Sequence, residues 1–161
     1  MSATNGFIRI DGTVSADGEN GCWASRSNGF AGGGAGGTIL FDCKVFTGSE
    51  TGMLSAKGGT TNPGLATDGK TVISCGGGGG GRIAVWCGEP WTSEVPNFRI
   101  ASSTGLLGED KAEWFSYKGS FSVAGGVAEG SYAIERNHGK DGTVFFHHIK
   151  APPRDLILRL R

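Results

Sequence analysis

Eight consecutive residues, Gly64-Leu65-Ala66-Thr67-Asp68-Gly69-Lys70-Thr71, fit the phosphate-cradling pattern G-x-x-x-x-G-K-[ST] letter for letter. That chemistry needs a buried strand before the loop and a helix after it, because the helix N-terminus receives the phosphate. Here Gly58-Gly59-Thr60-Thr61-Asn62-Pro63 precedes, and the six-glycine run Gly76 to Gly81 follows within a few residues. Each interior glycine costs a helix about 1 kcal/mol relative to alanine. The octapeptide therefore reads as a surface turn, and no cofactor is expected.

Four cysteines stand at 22, 43, 75 and 87, with no CxxC pair. Cys43 and Cys87 fall in the same phase of two similar segments, with Gly12 before them and His148 after. A shared metal is excluded on distance, since positions two strands apart lie about 9–10 Å from each other while zinc ligands converge at about 2.0–2.3 Å. Two readings stay open: a stacked pair of buried thiols, or a Cys43–Cys87 disulfide, for which the spacing of adjacent strands is compatible. Cys22 and Cys75 can be paired by the same argument. His138, His147 and His148 have no Ser or Cys partner at catalytic spacing, and no G-x-S-x-G elbow is present.

The stretch 88–118 concentrates aromatic residues among charges: Trp91, Phe98, Trp114, Phe115 and Tyr117. Aromatic rings that project from a scaffold stack on sugars or anchor a protein partner. Trp91, Trp114 and Tyr117 are the candidate ligand-binding residues on that ground, set against the plainer reading that the rings pack on one another. Glu109 to Phe115 has the composition of a short helical turn. Outward charges such as Arg9, Asp11, Asp42, Lys44 and Arg82 are the raw material for acid/base work on a polysaccharide, yet they form no tight constellation. No catalytic residue is assigned.

The elements that position these residues emerge from repetition. Glycine supplies 31 of 161 residues, which argues against a helical protein, while 5 prolines and no G-X-Y period exclude collagen. A Gly-x-apolar-x-apolar motif occurs at Gly6–Ile10, Gly37–Phe41, Gly81–Val85 and Gly142–Phe146. A second motif alternates with it at Val14–Gly18, Leu54–Gly58 and Phe121–Gly125. Period-2 alternation makes Ile8/Ile39/Ile83/Val144 and Ile10/Phe41/Val85/Phe146 inward columns, joined by Val14/Leu54/Phe121 and Ala16/Ala56/Val123. The outward set is Arg9/Leu40/Ala84/Phe145 and Asp11/Asp42/Trp86/His147.

Equivalent strands that run in one direction pair in parallel. The expected fold is therefore all-β, a fragment of right-handed parallel β-helix of about three to four coils with a long insertion at 88–118. Residues 1–150 form this domain, and 151–161 read as a tail or the start of a following segment of a longer protein. The glycine runs are expected to supply positive φ at turns and close approach between coils.

Leu54-Ser55-Ala56-Lys57-Gly58-Gly59, the six-glycine run into Arg82-Ile83-Ala84-Val85, and Gly139-Lys140-Asp141-Gly142-Thr143-Val144-Phe145 resemble a repeat of large, Gly-rich, exported bacterial β-solenoid proteins of the pectin-lyase-like or adhesin-like type. The resemblance covers roughly residues 6 to 149. It implies an extracellular or cell-surface location and a structural or adhesive role. Polysaccharide or a cell-surface protein is the expected partner, on the ground of the aromatic residues above. It carries over no catalytic residue. A carbohydrate-binding or polysaccharide-cleaving module is the alternative.

Lys+Arg and Asp+Glu both number 15, so no basic stripe points to nucleic acid. The longest apolar runs are too short to span a bilayer. Met1 to Gly6 has neither the basic nor the apolar region of a signal peptide. Exposed coil edges make end-to-end self-association a third expectation.

Overall fold

Apolar residues at every second position form strands wherever the sequence sustains that period, because alternate side chains then share one buried face. The computed structural model describes residues 1–24, 29–61, 64–65, 72–73, 75–87, 98–100, 104–106, 115–129 and 137–148. They contain no α-helix. The strands are β1 (Ser2–Arg9), β2 (Thr13–Ser15), β3 (Trp23–Ala24), β4 (Gly29–Phe30), β5 (Thr38–Gly48), β6 (Met53–Ser55) and β7 (Gly64–Leu65), then β8 (Val72–Ile73), β9 (Arg82–Cys87), β10 (Phe98–Ile100), β11 (Thr104–Leu106), β12 (Phe115–Tyr117), β13 (Ser120–Ser122) and β14 (Thr143–His148). The fold is all-β, with its two larger sheets built mainly from parallel pairs.

The larger sheet runs β1-β5-β9-β14-β10, with β12 also on β5. Ile39 pairs with Ile83 and Ile83 with Val144, while Phe41, Val85 and Phe146 form the next column. All six side chains are buried. In the second sheet, β11-β13-β6-β2, Val14 and Phe121 flank Leu54 in register. These columns match the sequence reading.

The first motif does not. Ile8 pairs with Phe46, not Ile39, and Phe7 with Val45. Strand β5 explains the shift. Ile39, Phe41 and Cys43 point inward, but the next inward residues are Phe46 and Gly48, so the phase slips at Lys44–Val45. β5 thus has two halves, and Gly6–Ile10 matches the second. Ala3, and not Gly12, is the neighbour of Cys43.

The second half of β5 also receives β12, with Phe115 beside Phe46 and Tyr117 beside Gly48. Since β9 ends at Cys87 opposite Cys43, residues 88–114 are inserted at the position of the β5 bend. Phe115–Tyr117 therefore belongs to the core sheet and not to an insertion reaching 118. Phe115 is strand, not helical turn; Glu109 to Trp114 lie outside the described residues. Within the inserted stretch, β10 lies antiparallel on β14 and β11 antiparallel on β13. Aromatic packing centres on Phe46, whose ring lies 5.4 Å from Phe41, 5.8 Å from Phe115 and 5.2 Å from Tyr117.

Glycine-rich segments link the sheets through a continuous file of peptide hydrogen bonds. Gly34 N donates to Glu19 O (2.8 Å), Gly59 N to Gly34 O (2.8 Å), and Gly78 N to Gly59 O (2.9 Å). Gly126 N then donates to Gly78 O (2.7 Å) and Gly139 N to Gly126 O (2.9 Å). Successive members alternate between a segment leaving the smaller sheet and one entering the larger. No glycine of the runs Gly32–Gly37 and Gly76–Gly81 adopts the left-handed φ expected from turns. They are needed for approach: a Cβ on Gly58, Gly59, Gly78, Gly126 or Gly139 would collide with a neighbouring carbonyl.

Candidate functional site

Outward residues of β5, β9 and β14 form rows across the parallel ladder: Thr38/Arg82/Thr143, Leu40/Ala84/Phe145 and, on β5 and β9, Asp42/Trp86. A groove of about 580 Å³ runs over this face, lined by Thr38, Leu40, Arg82, Ala84, Trp86, Thr143 and Phe145. Leu40 is 44% and Trp86 45% exposed, large values for apolar side chains on a sheet otherwise buried on its inner side. Ala84 is the low point between them, since its methyl leaves space beside Leu40 and Phe145. Arg82 brings a cation to one margin. On the other, Asp42 accepts a hydrogen bond from Ser2 Oγ at 3.2 Å, while its Oδ1 is buried without a hydrogen-bond partner.

A second concavity, about 600 Å³, is polar and lined by Asp17, Glu19, Asn20 and Lys57 among others. Its groups largely serve the backbone. Asp17 Oδ1 accepts from Ser55 Oγ (2.6 Å) and Lys57 N (2.7 Å), and Asn20 Oδ1 accepts from Thr60 N (2.8 Å). Burial pushes the Asp17 carboxyl upward, but the bonds from Ser55, Lys57 N–H and Ser15, with the Lys57 charge, outweigh it and hold the group below its usual value. This is a brace between neighbouring segments. The apolar groove is the better candidate for recognition.

The residues singled out from the sequence fall elsewhere. Tyr117 is fully buried and donates to Ser120 O at 3.0 Å. It is a core residue, withdrawn from ligand because its strand completes the β5 sheet. Trp91 and Trp114 lie outside the described residues. Cys43 and Cys87 are in register and buried, as free thiols; Cys22 and Cys75 are free as well. Of the two readings open for Cys43 and Cys87, the stacked thiol pair is the one this structure has. Burial, with the Asp42 charge beside it, pushes the Cys43 thiol up to about 11, and burial next to Cys43 drives Cys87 higher still. Protonated thiols are poor nucleophiles.

Gly64 pairs with Ile73 and Leu65 with Val72, antiparallel. Val72–Ile73 is strand and not helix, while Ala66 to Thr71, where the turn is expected, lie outside the described residues. Among the described residues no three His, Cys, Asp or Glu side chains converge on a metal-sized site, and no helix is long and apolar enough to cross a membrane.

The sequence placed Leu40, Trp86 and Phe145 on the outer face but did not single them out. The signal was the size of these residues in outward phase, where small or polar groups suffice. No family model matches the chain, and neither a curated protein nor a solved structure matches it.

Proposed function

We propose that the chain is a non-catalytic structural and adhesive segment of an extracellular or cell-surface protein. In this reading the parallel ladders are successive coils of a right-handed β-solenoid, and the outer face of β5, β9 and β14 is its contact surface. The observation that carries it is the outward cluster of exposed Leu40 and Trp86 with half-buried Phe145 on regular strands. A binding surface on regular strands is held in shape before the partner arrives, which lowers the ordering cost of association.

A second reading, carbohydrate binding, is favoured by one detail. Trp86 offers a half-exposed indole at one end of the groove, and the Arg82 guanidinium with the hydroxyl-bearing Thr38 and Thr143 stands at the other. A groove with an aromatic plate at one end and hydrogen-bond donors at the other suits a short stretch of sugar chain.

One experiment addresses both readings. The wild type, Trp86→Ala and Phe145→Ala are applied to a glycan array and to surfaces coated with cell-surface protein. Retention that falls about tenfold in the variants, equivalent to about 1.4 kcal/mol, supports the face as the contact surface. Glycan-selective retention supports the second reading. Equal retention of all three proteins refutes the assignment of the face, and release of reducing ends from any polysaccharide refutes the non-catalytic role.

A further inference from the structure

The segments that follow β2, β6 and β13 repeat one hydrogen-bond scheme. In the first rung Ala16 N donates to Ser55 O (2.7 Å) and Gly18 N to Lys57 O (2.8 Å). In the second rung Ala56 N donates to Ser122 O (2.8 Å) and Gly58 N to Ala124 O (2.9 Å). Ser15, Ser55 and Ser122 are in register. Asp17, Lys57 and Ala124 therefore hold equivalent positions, two residues further on.

The side chains break this equivalence. In the first rung the Asp17 carboxylate lies between the segments, and its Oδ1 accepts from Ser55 Oγ at 2.6 Å and from Lys57 N at 2.7 Å. In the second rung the same two donors recur as Ser122 Oγ and Ala124 N–H. The residue in the place of Asp17 is now Lys57, whose ammonium has no acceptor to offer. Neither Ser122 Oγ nor Ala124 N has a hydrogen-bond partner among the described residues. Ser122 is only 8% exposed, so its hydroxyl is largely withdrawn from water, where an unmet donor is costly.

The Lys57 ammonium lies 3.9 Å from Asp17 Oδ2, drawn toward the first rung. It stays within the polar concavity that Ala124 and Gly125 also line. Its long stem can bring the charge to either rung.

We propose that Ser122 Oγ, Ala124 N–H and the Lys57 ammonium form a binding site for a carboxylate supplied from outside the fold. The first rung shows how such a group is held, by one hydroxyl and one peptide N–H; the second adds a cation. Charge selects the ligand class. Asp17 and Glu19 line the same concavity and repel a dianion such as phosphate more than a single carboxylate. A free small acid and the acidic side chain of a peptide present the same group. The site shares no residue with the outer face of β5, β9 and β14 and does not rest on its adhesive reading.

Amide nuclear magnetic resonance of the full chain tests the site. Sodium acetate, sodium phosphate, acetyl-Gly-Asp-Gly-amide and its Asn counterpart are titrated at neutral pH and constant ionic strength. The expected result is a saturable downfield shift of the Ala124 amide proton with acetate, in the millimolar range. Lys57→Met raises the half-saturating concentration at least about threefold. Lys57→Asp rebuilds the first-rung arrangement, so the Ala124 proton lies downfield without acetate and no longer responds to it. Saturation by the Asp peptide below the acetate concentration assigns the peptide source, and the reverse order assigns the free acid. The proposal is overturned by an Ala124 amide that ignores both acetate and the Asp peptide, by an equal response to the Asn peptide, or by tighter binding of phosphate. Unchanged acetate curves in Lys57→Met or Lys57→Asp overturn it as well.

Discussion

Replacing Gly78 with alanine strikes the hydrogen-bonded file at its middle. A Cβ at this position lands 2.5 Å from the Gly34 carbonyl carbon and 3.0 Å from Gly33 O. Relief requires the backbone to move, and Gly78 is pinned on both sides. Its N–H donates to Gly59 O at 2.9 Å and its carbonyl accepts from Gly126 N at 2.7 Å. Losing both buried bonds costs about 1 kcal/mol each, and the overpacking adds about 1–3 kcal/mol. The sum is about 3–5 kcal/mol.

Gly79 is the internal control. Its nearest neighbour to a new Cβ is Lys140 O at 3.8 Å, an ordinary contact, and its φ lies outside the left-handed region. Gly79→Ala is expected to be neutral or to stabilise by up to about 1 kcal/mol through the unfolded chain. At about 2–4 °C per kcal/mol for a chain of this size, Gly78→Ala melts roughly 6–20 °C below wild type and Gly79→Ala melts at or slightly above it. Circular dichroism melts with urea titration at constant m-value provide the assay. If the two variants fall within about 0.5 kcal/mol of each other, glycine is not there for backbone approach, and the reasoning fails.

Phe46→Ala empties the centre of the aromatic cluster and is expected to cost about 3–5 kcal/mol, read by urea unfolding. Tyr117→Phe removes only the bond to Ser120 O, about 1 kcal/mol, and leaves surface binding unchanged; loss of binding would restore Tyr117 as a ligand residue. Cys22, which is exposed, reacts with a disulfide reagent at pH 8, while buried Cys43 and Cys87 react only after unfolding. Fast native labelling of Cys87 contradicts the packing. Cys43 is raised from 9.0 to about 11 and Tyr117 from 10.0 to about 12 by burial, so the unfolded chain loses these protons first. Their contribution is intact below pH 9 and declines as pH rises toward the folded values, at up to about 1.4 kcal/mol per pH unit for each group. Stability measured from pH 7 to 11 should be level and then fall, with a later onset in Cys43→Ala/Cys87→Ala; an unchanged onset refutes the assignment to the thiols.

The inner columns were legible because burial of alternate side chains is a local property of the sequence. Ile39, Ile83 and Val144 announce themselves by type and phase. The partner of Ile8 was not legible, because Gly6–Ile10 repeats the pattern of Gly37–Phe41, whereas the segment it pairs with, Lys44–Gly48, keeps only an inward apolar residue, Phe46, in common with it. A spacing did hold the answer: Ile8 precedes Val14 by the same six residues that separate Phe115 from Phe121. The glycines were legible as unusual, but close approach is a relation between segments distant in sequence and leaves no local mark. Tyr117 looked like part of a projecting insertion because the excursion between Cys87 and Phe115 conceals the continuity of the sheet. Trp86 was assigned to the outer face correctly, yet the groove around it depends on Ala84 standing between Leu40 and Phe145 across three strands.

Methyl–methyl nuclear Overhauser effects in protein labelled at Ile and Val methyls interrogate the parallel register itself. In-register neighbours on adjacent strands lie about 4.8 Å apart, so strong cross-peaks are expected for Ile39–Ile83 and for Ile83–Val144. A spectrum in which Ile39 shows no contact with Ile83 would contradict the stacked arrangement on which the sheet face and the glycine file both depend.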